Sequence, residues 1–185
     1  MSLTTPPQFH PSLDVAAVAA TDASLSRTAT AADLPAIEAL HDLAFGPGAL
    51  TRAAYRVREG CPPLSPWCRV MCHGPALIAA IRYTKIRIGG HGQALLLGPL
   101  AVAPACANQG HGRRLLADSL DHARSTGITL VVLVGDPPYY ARFGFQPVAH
   151  GRLLWPGPVD PQRVLMLELQ AGCFTALHGK IVGTD

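Results

Sequence analysis

Two short stretches of this sequence combine residue types that can bind a charged ligand. The first is a loop at residues 109–112, which contains two glycines and leads into an amphipathic segment. Glycines let the backbone approach an anion closely, and a loop that opens a helix presents several N–H groups at the positive helix end. The second stretch places Tyr139 and Tyr140 after an apolar run at 128–134. We expect a phosphate or pyrophosphate site beside the tyrosines, because ligands bind at the carboxyl ends of such strands.

Two better-known phosphate-binding motifs do not fit the loop. No Lys-Ser or Lys-Thr pair follows the glycines, which excludes the loop of nucleoside-triphosphate enzymes. Only Gly110 and Gly112 match the glycines of a dinucleotide-binding fingerprint, and the strand before them belongs to a predicted meander. The loop is therefore interpreted as an anion site of another class.

The elements that must position this site follow from periodicity and turn signals. Glycine-containing turns at 73–75 and 89–92 separate three strand-like segments, which indicates an antiparallel meander. The apolar run at 128–134 is typical of a strand buried on both faces, and the helix before it predicts a parallel crossover. The predicted class is α+β, with a mostly antiparallel mixed sheet, one parallel β-α-β crossover and helices on both faces. The predicted helices are 34–44, 51–59, 112–125 and a turn at 136–144, and the predicted strands are 24–28, 67–72, 76–88, 94–102, 128–134, 145–148 and 164–169.

One domain accounts for most of the chain. Residues 1–24 are rich in Pro, Thr, Ala and Ser without periodicity, and they are interpreted as a flexible N-terminal tail. Residues 25–170 carry the predicted helices and strands, and residues 171–185 form a C-terminal extension without a clear partner. Thr30 and Asp33 have the spacing of a capping box, which predicts the start of the first helix.

Composition limits the classes of partner. Of 185 residues, 49% are hydrophobic and 15% are charged, which favours a well-buried globular protein. The net charge of +3 comes from scattered Lys and Arg, so no nucleic-acid partner is expected. Apolar runs are too short to span a membrane, and residues 1–24 lack Lys and Arg, so a cytoplasmic location without membrane attachment is expected. Five irregularly spaced cysteines supply no paired zinc ligands, so no metal is expected.

Taken together, the two stretches resemble the GNAT superfamily of N-acetyltransferases. Residues 107–112 are similar to its phosphate motif Arg/Gln-x-x-Gly-x-Gly/Ala, and residues 139–145 are similar to its aromatic-Tyr-x-x-x-Gly-Phe motif. The segments at 44–48, 97–102 and 135–140 are similar to a bacterial subgroup described as YhbS-like. The resemblance covers roughly residues 25 to 170 in motif order and spacing, and it implies a GNAT-type fold.

The resemblance implies an enzyme that uses acetyl-CoA to acetylate a primary amine of a small molecule or a protein. Acetyl-CoA would lie between strands 94–102 and 128–134, with its pyrophosphate held by backbone N–H groups of the loop. A strand N–H would polarise the thioester carbonyl, and Tyr140 would protonate the departing thiolate as general acid. No metal is implied, and the general base stays unassigned. The implied cofactor-binding residues are Leu100, Ala101, Val102, Ala107, Asn108, Gln109, Gly110, His111, Gly112 and Arg113.

Ala107 departs from the family motif, because alanine replaces the Arg or Gln whose side chain would contact a phosphate. Arg113 and Arg114 are candidates to approach the phosphates instead, and Arg142 is the candidate for the adenosine 3′-phosphate. Because of this departure, a second class of function is also considered, namely a non-catalytic module that binds or senses an acyl-CoA. A third alternative is an acyltransferase that takes a longer acyl donor. Tyr139 is interpreted as a packing residue, and Arg52, Tyr55 and Glu59 of the second helix are interpreted as solvated. A monomer and a homodimer are both compatible with the sequence.

Overall fold

The computed structural model describes residues 24–46 and 53–184 of the chain. Its helices are α1 Leu34–Phe45, α2 Ala53–Val57, α3 His111–Ser125 and α4 Pro137–Ala141. Its strands are β1 Leu25–Thr28, β2 Arg69–His73, β3 Ala76–Ile88, β4 His91–Val102, β5 Leu130–Val134, β6 Gln146–Pro147, β7 Leu153–Leu154, β8 Val164–Glu168 and β9 Gly179–Gly183. The predicted tail lies outside the described residues apart from Ser24, as do residues 51 and 52 of the predicted second helix. Across the described ranges, no helix has the length and apolar character that a membrane crossing requires.

Helix α1 begins where the sequence places a capping box. The Asp33 carboxylate accepts hydrogen bonds from the Thr30 N–H at 2.8 Å and from the Thr30 hydroxyl at 2.9 Å. The Arg27 guanidinium donates to both Asp33 oxygens at 2.7 Å, and this pairing is the main cause that holds the pKa of Asp33 well below its usual value. Gly46, with a φ of 66°, ends the helix. The predicted box is confirmed, and it ties β1 to the start of α1.

The strands form a mixed sheet in the order β1-β2-β3-β4-β5-β8-β6. Strands β1 to β4 pair antiparallel in sequence, which confirms the predicted meander. Strand β5 pairs parallel to β4 after the α3 crossover, and β8 then pairs antiparallel to β5. The predicted α+β class, with one parallel crossover in a mostly antiparallel sheet, is therefore confirmed.

Strand β5 is buried on both faces, as its apolar run predicts. Val131 and Leu133 belong to the core cluster that contains Leu115 of α3. Leu130 and Val132 belong to a separate cluster on the other face. Successive side chains of a strand point to opposite faces of its sheet, so a strand with apolar residues at every position must be covered on both.

Strands β4 and β5 separate after a short parallel pairing. The pairing covers three residue pairs and ends at Leu96 opposite Val132. Beyond that pair, β4 continues to Val102 with β3 as its neighbour, and β5 continues to Val134 with β8 as its neighbour. A V-shaped split therefore opens between the ends of the two strands.

A β-bulge in β4 marks the start of this split. Between Leu97 opposite Tyr83 and Leu100 opposite Ile81, β4 has two residues where β3 has one. An extra residue bends a strand and increases its local twist. The bulge therefore directs the end of β4 away from β5 and leaves one edge of β4 open.

The expectation that residues 171–185 lack a partner is wrong. Strand β9 pairs antiparallel with β3, with Ile181 opposite Ile88, and it pairs parallel with β7. Arg152 fixes the preceding turn: its Nε donates to Leu177 O at 3.0 Å, and its Cζ lies 4.1 Å from the centroid of the Phe174 ring. Ile181 is the one buried residue of β9, so the alternation is too short for sequence periodicity to detect.

Candidate active site

The loop before α3 has the backbone conformation of an anion site. Residues Pro104–Cys106 form a 3-10 turn, and Asn108 and Gly110 then adopt left-handed conformations with φ of 61° and 86°. These two residues redirect the chain so that α3 begins at His111. Glycine adopts a positive φ without steric cost and asparagine tolerates it, which accounts for both residue types in this turn.

The amides of this loop are available to a ligand. Within the described residues, the backbone N–H groups of residues 108–113 donate to no protein acceptor. The first bond of the helix runs from the Arg114 N–H to Gly110 O at 3.0 Å. The first turn of a helix leaves its N–H groups without intrahelical partners, and the helix dipole favours negative charge there. Consecutive amides at the start of α3 therefore suit the oxygens of a phosphate or pyrophosphate.

A cavity of about 360 Å³, here called the loop cavity, lies against these amides. Tyr139 and Arg142 of the second motif contribute to its wall. The fold thus brings the two sequence motifs together at one cavity, although more than 20 residues separate them in the chain. Seven of the predicted cofactor-binding residues line it, namely Val102, Ala107, Asn108, Gly110, His111, Gly112 and Arg113.

Three predicted cofactor-binding residues do not line the loop cavity. The Gln109 side chain turns back, with Nε2 donating to Ala105 O at 3.1 Å and Oε1 lying 3.3 Å from His111 Nε2. Ala101 is buried in the cluster that packs under α1. Leu100 packs against the α3 cluster. Ala101 is buried, Leu100 is half-buried and Gln109 is exposed, with its side chain held along the loop. The contacts that we expect from these residues therefore come from their backbone groups.

The free edge of β4 presents such backbone groups. The Ala103 N–H donates to Ile78 O of β3 at 2.8 Å, so residue 103 directs its backbone groups towards β3. Backbone groups alternate between the two edges of a strand. Leu100 and Val102 therefore direct theirs away from β3, into the split where β5 no longer pairs.

Tyr139 packs against the core cluster, as its interpretation predicts, and it also lines the loop cavity. A Cβ placed on Gly112 would lie 3.2 Å from Tyr139 Oη and 3.1 Å from Val102 Cγ2, so the three residues meet closely. Burial raises the pKa of the Tyr139 hydroxyl, and the nearby charges of Arg142 and Arg113 oppose this shift. The one sequence signal for this role was its place next to the motif tyrosine.

Two arginines supply positive charge to the loop cavity. Arg113 and Arg142 both line it, and the Arg142 Cζ lies 5.6 Å from the Tyr139 ring centroid. No carboxylate in the described ranges forms an ion pair with either arginine. Arg114 is exposed and does not line the cavity. The charge that Ala107 does not provide is thus present on two other side chains.

Tyr140 lies on the same face of the sheet as the loop cavity. Its ring packs against the core cluster that also contacts Leu100, Val102 and Tyr139. The ring meets Phe145 edge to face, with centroids 5.6 Å apart. These contacts fix the ring, so the position of the hydroxyl is set by packing.

The Tyr140 hydroxyl is a protonated group with an unused donor. Burial is the main cause that raises its pKa above the usual value, with Tyr139 and Asp136 adding to the shift and Arg163 opposing it. Its oxygen has no hydrogen-bond partner in the part of the chain that the structure describes, and it is not sealed from solvent. A phenol in this state can donate its proton to a bound ligand.

A second cavity, of about 250 Å³ and here called the α2 cavity, also borders the split. Residues 97–99 of β4 and Val134 of β5 line it, together with Tyr55 and Arg58. Tyr55 is half-buried, so the expectation of a solvated position is wrong for it, whereas Glu59 is exposed as expected and Arg52 lies outside the described residues. Arg58, for which the sequence supports no expectation, is buried. Among residues 24–46 and 53–184, no group of three or more His, Cys, Asp or Glu side chains is arranged to hold a metal ion.

A family model described as an acetyltransferase (GNAT) domain matches residues 26–148. The chain is 36% identical over 84 residues to YhbS, an uncharacterized N-acetyltransferase of Escherichia coli strain K12, and this stretch is 44% of the chain and 50% of YhbS. It is 40% identical over 63 residues to YjhQ, an uncharacterized N-acetyltransferase of the same strain, which is 34% of each protein. In these alignments the chain spans half the length of YhbS and about a third of YjhQ.

Solved structures share the arrangement of helices and strands. The crystal structure of the GNAT family N-acetyltransferase YhbS from Escherichia coli in complex with CoA matches with a TM-score of 0.73 and 27% identity, covering 87% of this chain and 89% of that one. A GNAT family acetyltransferase from Brucella melitensis in complex with acetyl-CoA matches with a TM-score of 0.58 and 26% identity, covering 78% and 96%. Both of those proteins hold a coenzyme that carries a pyrophosphate.

Proposed function

The chain belongs to the GNAT acetyltransferase family, and from this we propose that it transfers an acetyl group from acetyl-CoA to a primary amine by direct attack. The observation that carries the proposal is the row of available amides at residues 108–113. These amides lie on the same face of the sheet as Tyr140. Similarity to named N-acetyltransferases supports the reaction class. The acceptor is an amine on a small molecule or a protein.

The residues present fit an acetyl-CoA molecule. The amides of residues 108–113 suit its pyrophosphate, and Arg113 and Arg142 suit its remaining phosphate charge. The free edge of β4 at Leu100 and Val102 can pair with the amide groups of the pantetheine arm, as an added strand pairs with a sheet edge. Bound acetyl-CoA would supply an activated thioester carbonyl in the split.

Two groups of the protein would assist the transfer. A backbone N–H on the free edge of β4 would donate to the carbonyl oxygen, where negative charge develops as the amine attacks. The Tyr140 hydroxyl, which is protonated at neutral pH, would give its proton to the sulfur of the departing thiolate. The proton that the attacking nitrogen loses would pass through water and return the tyrosinate to the phenol. The walls of the split would hold amine and thioester together, which lowers the entropic cost of their encounter.

Ala107 favours a second candidate, a module that binds or senses an acyl-CoA without turnover. Its methyl side chain offers no donor where the motif has Arg or Gln. Such a module would use the same amides and the same loop cavity, so binding alone does not separate it from an enzyme. Turnover with an amine separates the enzyme from the binding module. An enzyme that takes a longer acyl donor is a third possibility within the enzyme class.

Acetyl-CoA is expected to raise the melting temperature of the protein. A ligand that binds only the folded state at a hundredfold excess over its Kd adds about 2.7 kcal/mol, which is roughly 5–10 °C for a chain of this size. Thermal-shift titrations with CoA, acetyl-CoA and longer acyl-CoAs measure this, and a coupled assay for released CoA across an amine library measures turnover. A melting temperature that no thioester changes would contradict the proposed function.

Arg113→Ala and Arg142→Ala are each expected to raise the Kd for CoA by about 5- to 10-fold. Each removes one positive charge from the loop cavity, and a charge-assisted contact to phosphate is worth about 1–2 kcal/mol when partly exposed. Isothermal titration at low and high salt measures the effect, which shrinks at high salt. Arg87→Ala is the matched control, because Arg87 is exposed on β3 and does not line the cavity. Equal affinities for all three variants would exclude the assigned phosphate contacts.

A further inference from the structure

Arg58 is a buried cation, and one edge of its guanidinium has no partner among the residues that the structure describes. The residue is 5% exposed, and its Nη1 donates to Ala54 O at 2.9 Å. Its Nε and Nη2 atoms are shut off from solvent, and neither has a hydrogen-bond partner in the described part of the chain. Leaving a buried charged donor without a partner destabilises a protein. A site that keeps such a group usually has a use for it.

No described carboxylate forms an ion pair with Arg58. The ion pairs among the described residues are Arg27 with Asp33 and Arg124 with Asp121, and neither involves Arg58. Burial lowers the pKa of Arg58 to about 10, and the nearby charge of Arg82 lowers it further. Arg58 is therefore still a cation at neutral pH. Asp160 and Arg163, which have opposite charges, also line the α2 cavity.

The Arg58 side chain borders the split through the α2 cavity. Arg58 and Tyr55 line the α2 cavity, which also reaches Val134 at the end of β5. Arg58 Nη2 lies 3.6 Å from the point where a Cβ on Gly98 would stand, so the guanidinium reaches the bulge in β4. The cavity therefore joins a buried cation to the split in which acetyl transfer is proposed.

The chemistry of this edge suits an oxyanion that accepts two parallel hydrogen bonds, as a carboxylate and a phosphate both do. Nε and Nη2 lie on the same side of the planar guanidinium, and their N–H groups are parallel. This spacing matches the two oxygens of a carboxylate, which accept two parallel hydrogen bonds. The α2 cavity, at about 250 Å³, is just below the usual range for small-molecule sites. Its size favours a small amino carboxylate over a bulky acceptor.

We propose that the acceptor is a small amine that also carries a carboxylate, and that Arg58 binds this carboxylate through Nε and Nη2. The inference rests on the proposed acetyl transfer and narrows its substrate class. The carboxylate would anchor the acceptor in the α2 cavity, and the amine would then point into the split. Arg58 would thus act as a specificity-determining residue that does not take part in the chemistry.

The first test compares acids with their amides on the wild-type protein. Each amino carboxylate in a panel, such as glycine, β-alanine, 4-aminobutyrate and the L-amino acids, is paired with its carboxamide. CoA release is measured for both, and kcat/KM is expressed per concentration of unprotonated amine, because an amide lowers the basicity of a neighbouring amine. The best carboxylate is expected to exceed its amide by about 10- to 100-fold, the value of a charge-assisted bidentate contact.

The second test changes Arg58 itself. Arg58→Lys keeps the charge but removes the two parallel donors, so KM for the best carboxylate should rise about tenfold, and the preference over the amide should fall towards one. Arg56→Lys is the matched control on α2, because Arg56 is exposed and does not line the α2 cavity. An acetyl-CoA thermal shift equal to that of the wild type shows that the variant is folded. If Arg58→Lys does not fold, the inference is decided by the first test, the comparison of each acid with its amide on the wild-type protein.

The outcomes separate this inference from the proposed function. If amides or simple amines are acetylated with the same kcat/KM as the amino carboxylates, the proposed acetyl transfer is still supported but the carboxylate inference is wrong. A preference for a phosphorylated amine such as phosphoethanolamine would also overturn it, as would a preference for acids that survives Arg58→Lys. If the protein binds acetyl-CoA but releases CoA with none of the amines in the panel, both the proposed enzyme and this inference would be contradicted.

Discussion

Tyr140→Phe is expected to lower kcat for acetyl transfer by about 100- to 1,000-fold, with less than about a threefold change in the Kd for acetyl-CoA. General acid catalysis by a positioned side chain contributes about this factor. The substitution removes one oxygen and keeps the ring that packs edge to face on Phe145. Single-turnover rates and titration calorimetry on the same preparations separate the two quantities. A variant that keeps kcat within threefold of the wild type would remove Tyr140 from the mechanism.

Tyr139→Phe is the informative comparison for this prediction. The two tyrosines are adjacent in α4, and each variant loses a single hydroxyl. Tyr139 lines the loop cavity next to Gly112, so loss of its hydroxyl should act on the Kd for acetyl-CoA and leave kcat within a few-fold. Opposite effects of the two variants would separate binding from proton transfer. A sensing module would bind acetyl-CoA and show no turnover in any of the three proteins.

The pH dependence follows from the direction of the pKa shift at Tyr140. Burial raises the pKa of this hydroxyl above its usual value, so the proton is kept further into the alkaline range. The group needed as an acid is therefore present at neutral pH, and it is lost only as the pH rises through the raised pKa. The wild-type kcat should show no alkaline decline below about pH 10, the ordinary value for tyrosine. A decline centred near pH 8 would assign the acid to another group.

The parts of the fold that the sequence predicts are those with local signals. Glycine turns at 73–75 and 89–92 separate the strands of the meander, and the apolar run in β5 requires cover on both faces. The loop before α3 is predictable for the same reason. Its donors are backbone N–H groups. Their positions are set by where the helix starts and depend little on the side chains that follow.

The parts that the sequence did not predict depend on distant contacts. Strand β9 forms because β3 has a free edge near Ile88, and nothing in the short segment itself indicates that neighbour. The bulge in β4 depends on how many residues of β3 stand opposite it. Nothing in the sequence indicates that Arg58 is buried, because arginine is rarely buried without a partner. Its burial depends on the packing of α2 against the sheet, which no local pattern records.

Gly112→Val is expected to raise the Kd for acetyl-CoA about 100-fold or more. A Cβ at this position would stand 3.1 Å from Val102 Cγ2 and 3.2 Å from Tyr139 Oη, closer than ordinary contacts. Valine adds two methyl groups beyond that Cβ, so it must displace these neighbours or fill the loop cavity. A valine that fills the loop cavity keeps the pyrophosphate away from the amides, and a hundredfold rise in the Kd corresponds to a loss of about 2.8 kcal/mol of binding free energy. Calorimetric titration with acetyl-CoA measures the change.

The effect should fall on binding more than on folding. The φ of Gly112 is not in the left-handed region, so a larger residue fits the backbone without strain there. Gly112→Ala should give an intermediate Kd, because it adds only the Cβ. Ala117→Val places the same β-branched residue on an exposed position of α3, so it controls for helix propensity. If Gly112→Val bound acetyl-CoA as tightly as Ala117→Val, the pyrophosphate would have to lie away from the start of α3, and the amides of residues 108–113 would lose their assigned role.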